Sequence, residues 1–487
     1  MTRWKTASRH WPRIYGTVLV SGVLALAGAA QAVAGAPLTL PEVVRLALAS
    51  TSQGSLARAQ FAEQRARSSL HLAQGAFDWN AEVKGGYRRL MTSRSANGLV
   101  TTDLEYADVL TATAGVEKLF DNGVRVRPGF IVSSGAEQSQ LASSLVRTQP
   151  LLEIEVPLDG RYGQPMEALR LNSARADLSA SQFDQRHGRQ LYLNRVMKAT
   201  WGLLAAQRHQ AATLAQAAVA EEVAGRMLRL AAAREVSRMA ADEVLARAQT
   251  QRNAVDHAAL DVDAARLDLA LLLGLDESAV GGLDAAFPKT AEGLDAAWLQ
   301  RQLADALTRR LDLQGEAQRI ESARQRARIA RREADSRFTL QAGHDRLMLN
   351  WAKPLGENRD LGASEQAQAE VGLATLQVDD LRRRIEVEVR MAGKRLASAA
   401  QTSERTRTIV DKFRERLGLA RQLVDQGQQP PVALLDAADQ LGNAQRQLSD
   451  LERQHAEALA DLHLATAAIP DDLREPAQLA SAFSRLP

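Results

Sequence analysis

The chain contains no cysteine. That excludes a disulfide framework, a thiolate metal site and an acceptor for a lipid anchor behind a leader segment. Proline is confined to certain regions: none occurs between Pro165 and Pro288, or between Pro354 and Pro430. Proline breaks helices by removing a donor and clashing with the preceding turn. Two long proline-free stretches rich in Ala, Leu, Arg, Gln and Glu therefore predict very long helices. Catalytic signatures are missing as well. There is no metalloprotease, phosphate-loop, dinucleotide or nucleophile-elbow motif. His455 and His463 lie eight apart on one predicted helix, too far to share a metal without a third ligand. Nothing points to an enzyme, a cofactor or a metal centre.

No acidic residue precedes Glu42, while Arg3, Lys5, Arg9 and Arg13 crowd the N-terminus. An apolar run, IYGTVLVSGVLALAGAA, follows, and then small residues at Ala30 and Ala32. This is the three-part layout of a secretory signal peptide over residues 1–36. Without those four basic residues, the net charge of +3 falls to about −1. A basic surface for nucleic acid is therefore not indicated.

Two halves share one order of elements. Residues 56–83 align without gaps to 313–340, and VPLDGR at 156–161 has a counterpart in KPLGENR at 353–359. The first half, 37–293, is expected to open with a helix over 39–76. It then passes through strand-like sequence at 80–158 and ends in a long helical hairpin with its tip near 236–239. The second half, 294–470, repeats this with a helix over 294–335, a short strand region at 338–355 and a hairpin tip near 427–431. Residues 471–487 form a C-terminal tail. At 1.5 Å per residue the long helices over 166–232 and 364–426 would reach about 100 and 95 Å. The helices beyond each tip, and those opening each half, would reach about 55–60 Å. Two short helices end to end would thus match one long one. Val244, Ala248, Val255, Ala259, Val262, Ala265, Leu269 and Leu272 step along one face as a close-packed seam.

Four strand-like runs fill 80–158, the fourth with Leu152, Ile154, Val156 and Leu158 alternating against Glu153 and Glu155. Asp121-Asn122-Gly123 is a hairpin signal between the second and third. Eleven residues reach about 25 Å upright at a 45° tilt, enough for the apolar band of an outer-membrane barrel. A small soluble β subdomain would give the same local pattern.

At this point nearly all of the mature sequence resembles the TolC family of outer-membrane efflux proteins. The resemblance is carried by LTLPEVVRLALAS at 38–50, by the duplicated helix–strand–helix order, and by LLDAADQLGNAQRQLSDLERQHAEALADLHLATAAI at 434–469. It implies a mainly α fold with a β-barrel part and two tandem structural repeats. Three chains would form a coiled-coil α-barrel tunnel topped by the β-barrel, in the outer membrane of a Gram-negative bacterium. The function implied is the exit duct of a tripartite efflux or type I secretion system. Its partners would be two further copies of the chain, a periplasmic adaptor, an inner-membrane pump and outer-membrane lipid. The adaptor would dock on the hairpin tips, at Val236, Ser237 and Arg238 and at Gly427, Gln428, Gln429, Pro430 and Pro431. The alternative is a periplasmic coiled-coil adaptor or scaffold that has lost the pore.

Two departures from the family pattern carry expectations. The second strand region is far shorter than the first and too short to span a bilayer. The four strands of 80–158 are therefore expected to form the wall alone, with 338–351 outside it near the helices. At the periplasmic gate, Asp436 falls on one of the family's acidic positions. The other acidic position is Ala433, the bracing tyrosine position is Val424, and the bracing arginine position is Gln429. Asp436 and Asp439 share a helix face, which suits a ring of acids at the gate. Acidic preference for a helix start is the competing explanation, but Asp439 lies about eight residues past Pro431, beyond its reach. With most braces replaced, a weakly held closed state is expected.

Overall fold

A computed structural model describes residues 37–50, 54–93, 104–135, 145–159, 161–289, 295–343, 347–353, 356–469 and 475–486. The leader segment expected over 1–36 lies outside the described residues. The chain begins with β1 (Leu38–Thr39), α1 (Leu40–Ala49) and α2 (Gly54–Gln74), followed by strands β2 (Asn80–Ser93), β3 (Leu104–Leu119), β4 (Arg125–Gly135) and β5 (Leu145–Pro157). Helices α3 (Met166–Ala232) and α4 (Arg238–Leu273) form the first long hairpin, and β6 (Leu283–Asp284) returns beside β1. Then come α5 (Ala296–Arg309), α6 (Leu311–Ala334), β7 (Arg337–Gly343), β8 (Leu347–Ala352), α7 (Glu357–Asp425), α8 (Val432–Ala465) and α9 (Pro476–Ala482).

The proline-free stretches become α3 and α7, of 67 and 69 residues. Each is about 100 Å long. Near the sheet, α3 has α2 on one side and α6 on the other; further down the same positions belong to α4 and α8. Helix α7 packs against α6 and then α8. The helices thus form one layer four columns wide, with α2 and α4 stacked at one edge and α7 forming the other. Along α3 the small residues Ala176, Ala180, Ala212, Ala217 and Ala220 are buried, which lets backbones approach closely. In the expected seam of α4, Val244, Ala248, Val262 and Leu269 are buried.

The helices expected to open each half are not continuous. Ser50 turns extended after α1, and Arg310 (φ −61, ψ 125) separates α5 from α6. Charged groups pair at the second break. The buried Arg310 guanidinium bonds Asp312 at 2.6 Å and Glu388 of α7 at 2.5 Å. These bonds join the break to α7, a contact that no local periodicity reveals. At mid-height, α1 packs with α9, where Phe483, Leu479 and Ala480 join the core around Trp201, Val43 and Val44. The C-terminal segment over 475–486 is thereby part of the packed body.

The six strands make one antiparallel sheet in the order β2-β3-β4-β5-β7-β8. This corrects the expectation that 338–351 stands apart from the four strands of 80–158. Strand β7 pairs with the inner end of β5, from Pro157↔Thr339 to Glu153↔Gly343, and β8 pairs with β7. Its place near the helices is as expected. Phe338 N–H donates to Asp159, and the Arg161 guanidinium donates to the carbonyls of Arg332 and Asp335 at the end of α6. Shortness limits how far a strand reaches, not whether its backbone finds an open edge.

Candidate functional site at the helix tips

Both hairpins reverse in the same way. At the first tip Arg234 adopts φ 64, its N–H donating to the Ala231 carbonyl while that of Glu235 donates to Leu230. At the second, Gly427 adopts φ 72, with N–H bonds from Gly427 to Val424 and from Gln428 to Leu423. These are paired Schellman closures, which use a left-handed residue to satisfy the last carbonyls of a helix. Ser237 then caps α4 by accepting from the Ala240 N–H at 3.2 Å, and Pro430 and Pro431 precede α8. Val236 is half-buried, while Ser237, Arg238, Gly427, Gln428, Gln429 and Pro430 are exposed and Pro431 is half-buried.

Beneath the tips lies a small core of Val223, Ala224 and Met227 of α3, Ala241 and Val244 of α4, Val424 of α7, and Leu434 and Leu435 of α8. Val424 therefore packs apolar surface instead of bracing with a hydroxyl. Leu434, Leu435, Ala437 and Ala438 bury one face of α8, leaving Asp436 and Asp439 on the other.

The two carboxylates are together but not equivalent. Asp436 is exposed, and Arg247 of α4 approaches it at 3.6 Å while also pairing with Glu243. Asp439 is half-buried and accepts from Gln251 of α4 at 3.2 Å. Burial, and secondarily the charge of Asp436, push the Asp439 carboxyl above the ordinary aspartate range; Arg247 and Arg446 oppose this. Just below, the buried Gln216 of α3 donates to the Asp439 carbonyl at 3.2 Å and accepts from Arg446 at 2.5 Å. Gln216 lies directly on Gly442, where a side-chain carbon would overlap it. A side chain at 442 would have to push Gln216 away from these bonds.

A second cluster joins the hairpins through α3 and α7. Arg226 bonds Asp425 at 2.8 Å and Glu222 at 2.9 Å, and Arg421 bonds Glu222 at 2.6 Å. Arg252 of α4 adds a bond to Glu221 at 2.6 Å. Sequence spacing reveals only the Glu222–Arg226 pair, four apart on one helix. The others join residues far apart in the chain, so no local pattern could find them.

Elsewhere, His455 and His463 are both buried, and His463 contacts the Arg485 carbonyl at 2.7 Å. Among the described residues no group of three or more His, Cys, Asp or Glu could hold a metal ion. Among them, too, no helix is long and apolar enough to cross a membrane.

Solved structures share this architecture over most of its length. The chain is similar to the CmeC outer membrane channel of Campylobacter jejuni, with 13% identity, a TM-score of 0.65, and 92% of this chain and 90% of that one covered. It is similar to the outer membrane protein VceC of Vibrio cholerae at 15% identity, a TM-score of 0.65, and coverage of 88% and 95%. It is also similar to the MtrE outer membrane channel of Neisseria gonorrhoeae in its open state, at 15% identity, a TM-score of 0.60, and coverage of 88% of each chain. No family model and no curated protein sequence matches it.

Proposed function

From a chain with the fold of the TolC-like outer-membrane efflux channels, a fold of ducts and not of enzymes, we propose a passive exit duct in a Gram-negative outer membrane. It carries solutes or polypeptides from the periplasm to the outside, within a tripartite efflux or type I secretion system. The observation that carries this reading is the two-sided sheet. One face presents Val83, Tyr87, Leu110, Phe130, Leu152, Leu347, Leu349 and Trp351, all exposed, with Val83 at 80% and Leu347 at 72%. The other presents Glu82, Lys84, Glu117, Arg127 and Glu153, with Arg127 bonded to Glu117 at 2.7 Å. In water the apolar face would be a large exposed patch. Facing lipid, with most charge toward a lumen and Lys118 and Arg89 toward the two ends of the apolar side, it is the alternation of a transmembrane barrel wall.

Assembly follows from the edges. The outer columns α7 and α2/α4 expose Leu373, Leu376, Val387 and Leu419 on one side, and Phe61, Leu72, Leu260 and Leu267 on the other. Two different apolar edges on one chain make a head-to-tail contact, which closes into a ring when the rotation allows. Three copies of four columns would give the twelve-helix tunnel that the fold suggests, each chain contributing its two repeats, 37–293 and 294–470. The exposed tips at 236–238 and 427–431 are then the docking points for a periplasmic adaptor and, through it, an inner-membrane pump. Asp436 and Asp439 line the constriction just inside.

Membrane fractionation tests this. The protein should appear in the outer membrane as a heat-sensitive trimer and give discrete conductance steps in planar bilayers. A soluble periplasmic monomer without conductance overturns it.

A further inference from the structure

We propose that the barrel wall is closed between copies by six strands per chain at its foot and by four per chain at its outer end. At the foot, β8 of one copy pairs with the first residues of β2 in the next. Above the β7–β8 hairpin, β5 pairs directly with that same β2. The inference rests on the reading above, of an oligomeric wall in a membrane.

The two free edges of the sheet are β2 and β8. Strand β2 runs away from α2 and β8 runs back toward α7, so meeting edge to edge they are antiparallel, like every other pair in this sheet. Their apolar sides also agree. Leu347 lies opposite Ala342, which lies opposite Ile154, and through Leu152 and Pro150 the same side continues to Phe130, Ala114 and Val83. Leu347, Leu349 and Trp351 therefore extend the lipid-facing side of the wall without a change of sign.

The register supplies the geometry. Asn80, the first residue of β2, lies opposite Glu117, whose carboxylate bonds Arg127. Arg127 lies opposite Glu153, and Glu153 opposite Gly343. A row that enters at the foot of β2 thus leaves at the last residue of the seven-residue β7. Six steps of about 3.4 Å climbed over four spacings of about 4.8 Å lean the strands by about 45° when their feet stand level on the helices. That is the upper end of the tilt at which barrels close. Carried into the next copy, the row meets β2 about six to eight residues above its foot, so Leu349 comes opposite Val83 or Gly85. The hairpin thus fits into a closing wall as a strand pair of the correct sense, face and tilt.

It does not reach far. Strand β7 covers only Glu153 to Pro157 of β5, and β8 offers six residues against the fourteen of β2. The outer parts of β5 and of the neighbouring β2 would be left as bare edges, which hydrocarbon does not tolerate. They run antiparallel and are separated only by the hairpin, so each satisfies the other. With three copies the wall narrows from roughly 18 strands to roughly 12, both within the range of known barrels.

The absence of cysteine makes the test direct. Double variants of the full chain are treated in the outer membrane with a short bifunctional thiol reagent. The foot pair is Val83→Cys with Leu349→Cys, backed by Ala81→Cys with Trp351→Cys in case one variant misfolds. The outer pair is Arg89→Cys with Pro150→Cys. A helix-seam pair, Leu72→Cys with Leu361→Cys, reports assembly alone. The expected result is covalent oligomers from all three positions. Cross-linking at the helix seam without the foot pair puts the hairpin outside the wall and overturns the proposal. Foot and seam products without the outer pair overturn the narrowing. Failure at the helix seam overturns the assembly itself, and the proposal with it.

Discussion

Arg226 near the end of α3 and Asp425 at the end of α7 are 199 positions apart in the chain and meet at 2.8 Å. The contact ties one hairpin to the other at the level where a periplasmic gate would close. Val424 and Gln429 occupy the places where the resemblance implies a bracing tyrosine and arginine. Neither makes a polar bond across the hairpins, and Arg226, Asp425, Arg421 and Glu222 bridge them instead. In the proposed duct these partly exposed charges would hold the closed state, and would make it sensitive to salt.

Removing the clasp should favour opening. Partly exposed ion pairs contribute about 0.2–1 kcal/mol each. Two of these pairs cross the hairpins, so Arg226→Ala with Arg421→Ala should raise the open-to-closed ratio by about two- to thirty-fold, less at high salt. Single-channel recording at two salt concentrations reads this directly. An unchanged open fraction would assign the clasp to packing alone.

The acidic pair should set ion preference. Two carboxylates per chain in a narrow ring favour cations. Burial and the neighbouring Asp436 raise the Asp439 pKa, so Asp439 takes up its proton above the ordinary aspartate value of about 3.9. Cation selectivity should therefore begin to fall on acidification before pH reaches that value. Asp439→Asn should abolish this early phase, and Asp436→Asn with Asp439→Asn should abolish the selectivity. Reversal potentials across a pH series decide it; selectivity that survives the double variant rules these residues out as the filter.

Gly442→Ala should loosen the contact between α3 and α8. The added methyl would displace the buried Gln216 from the Asp439 carbonyl and from Arg446. Overpacking of this kind costs about 1–3 kcal/mol. Thermal melting should drop accordingly, and Gly442→Ala combined with Gln216→Ala should recover part of the loss by opening the space.

The two tips should respond in opposite ways, one to gaining a glycine and the other to losing one. Arg234 holds a left-handed conformation that glycine adopts without strain. Arg234→Gly should stabilise the fold by about 1 kcal/mol, and Gly427→Ala should destabilise it by a similar amount. Matched thermal melts of the two variants provide the measurement.

His455 should make the fold sensitive to acid. It is buried, its Nε2 has no hydrogen-bond partner, and burial lowers its pKa below the ordinary value of 6.5. The folded state keeps it neutral, so this group costs nothing above pH 6.5. Stability is lost as pH falls from there through the lowered pKa. His455→Leu should flatten the fall in melting temperature between pH 7 and pH 5. An identical slope in both proteins would show that His455 does not take up a proton in that range.

Much of this molecule follows from the sequence alone. Absence of proline over 166–287 and 355–429 leaves long helices as the main solution, and Gly427 with Pro430 and Pro431 stops one helix and starts the next. Alternation in Leu152, Ile154, Val156 and Leu158 assigns two faces to β5 before any partner strand is known. These are local rules, acting over a few residues. What tertiary structure decided are the pairings between distant segments. Arg310 sits at a break in a helix that periodicity would continue, and there it meets Glu388, 78 residues away. The short 337–352 hairpin entered the sheet because β5 presented an open edge, a fact no property of 337–352 encodes. The clasp at the tips likewise depends on where α3 and α7 end relative to each other. Local sequence sets what a segment can become, while burial, charge pairing and edge satisfaction act between segments that only the fold brings together.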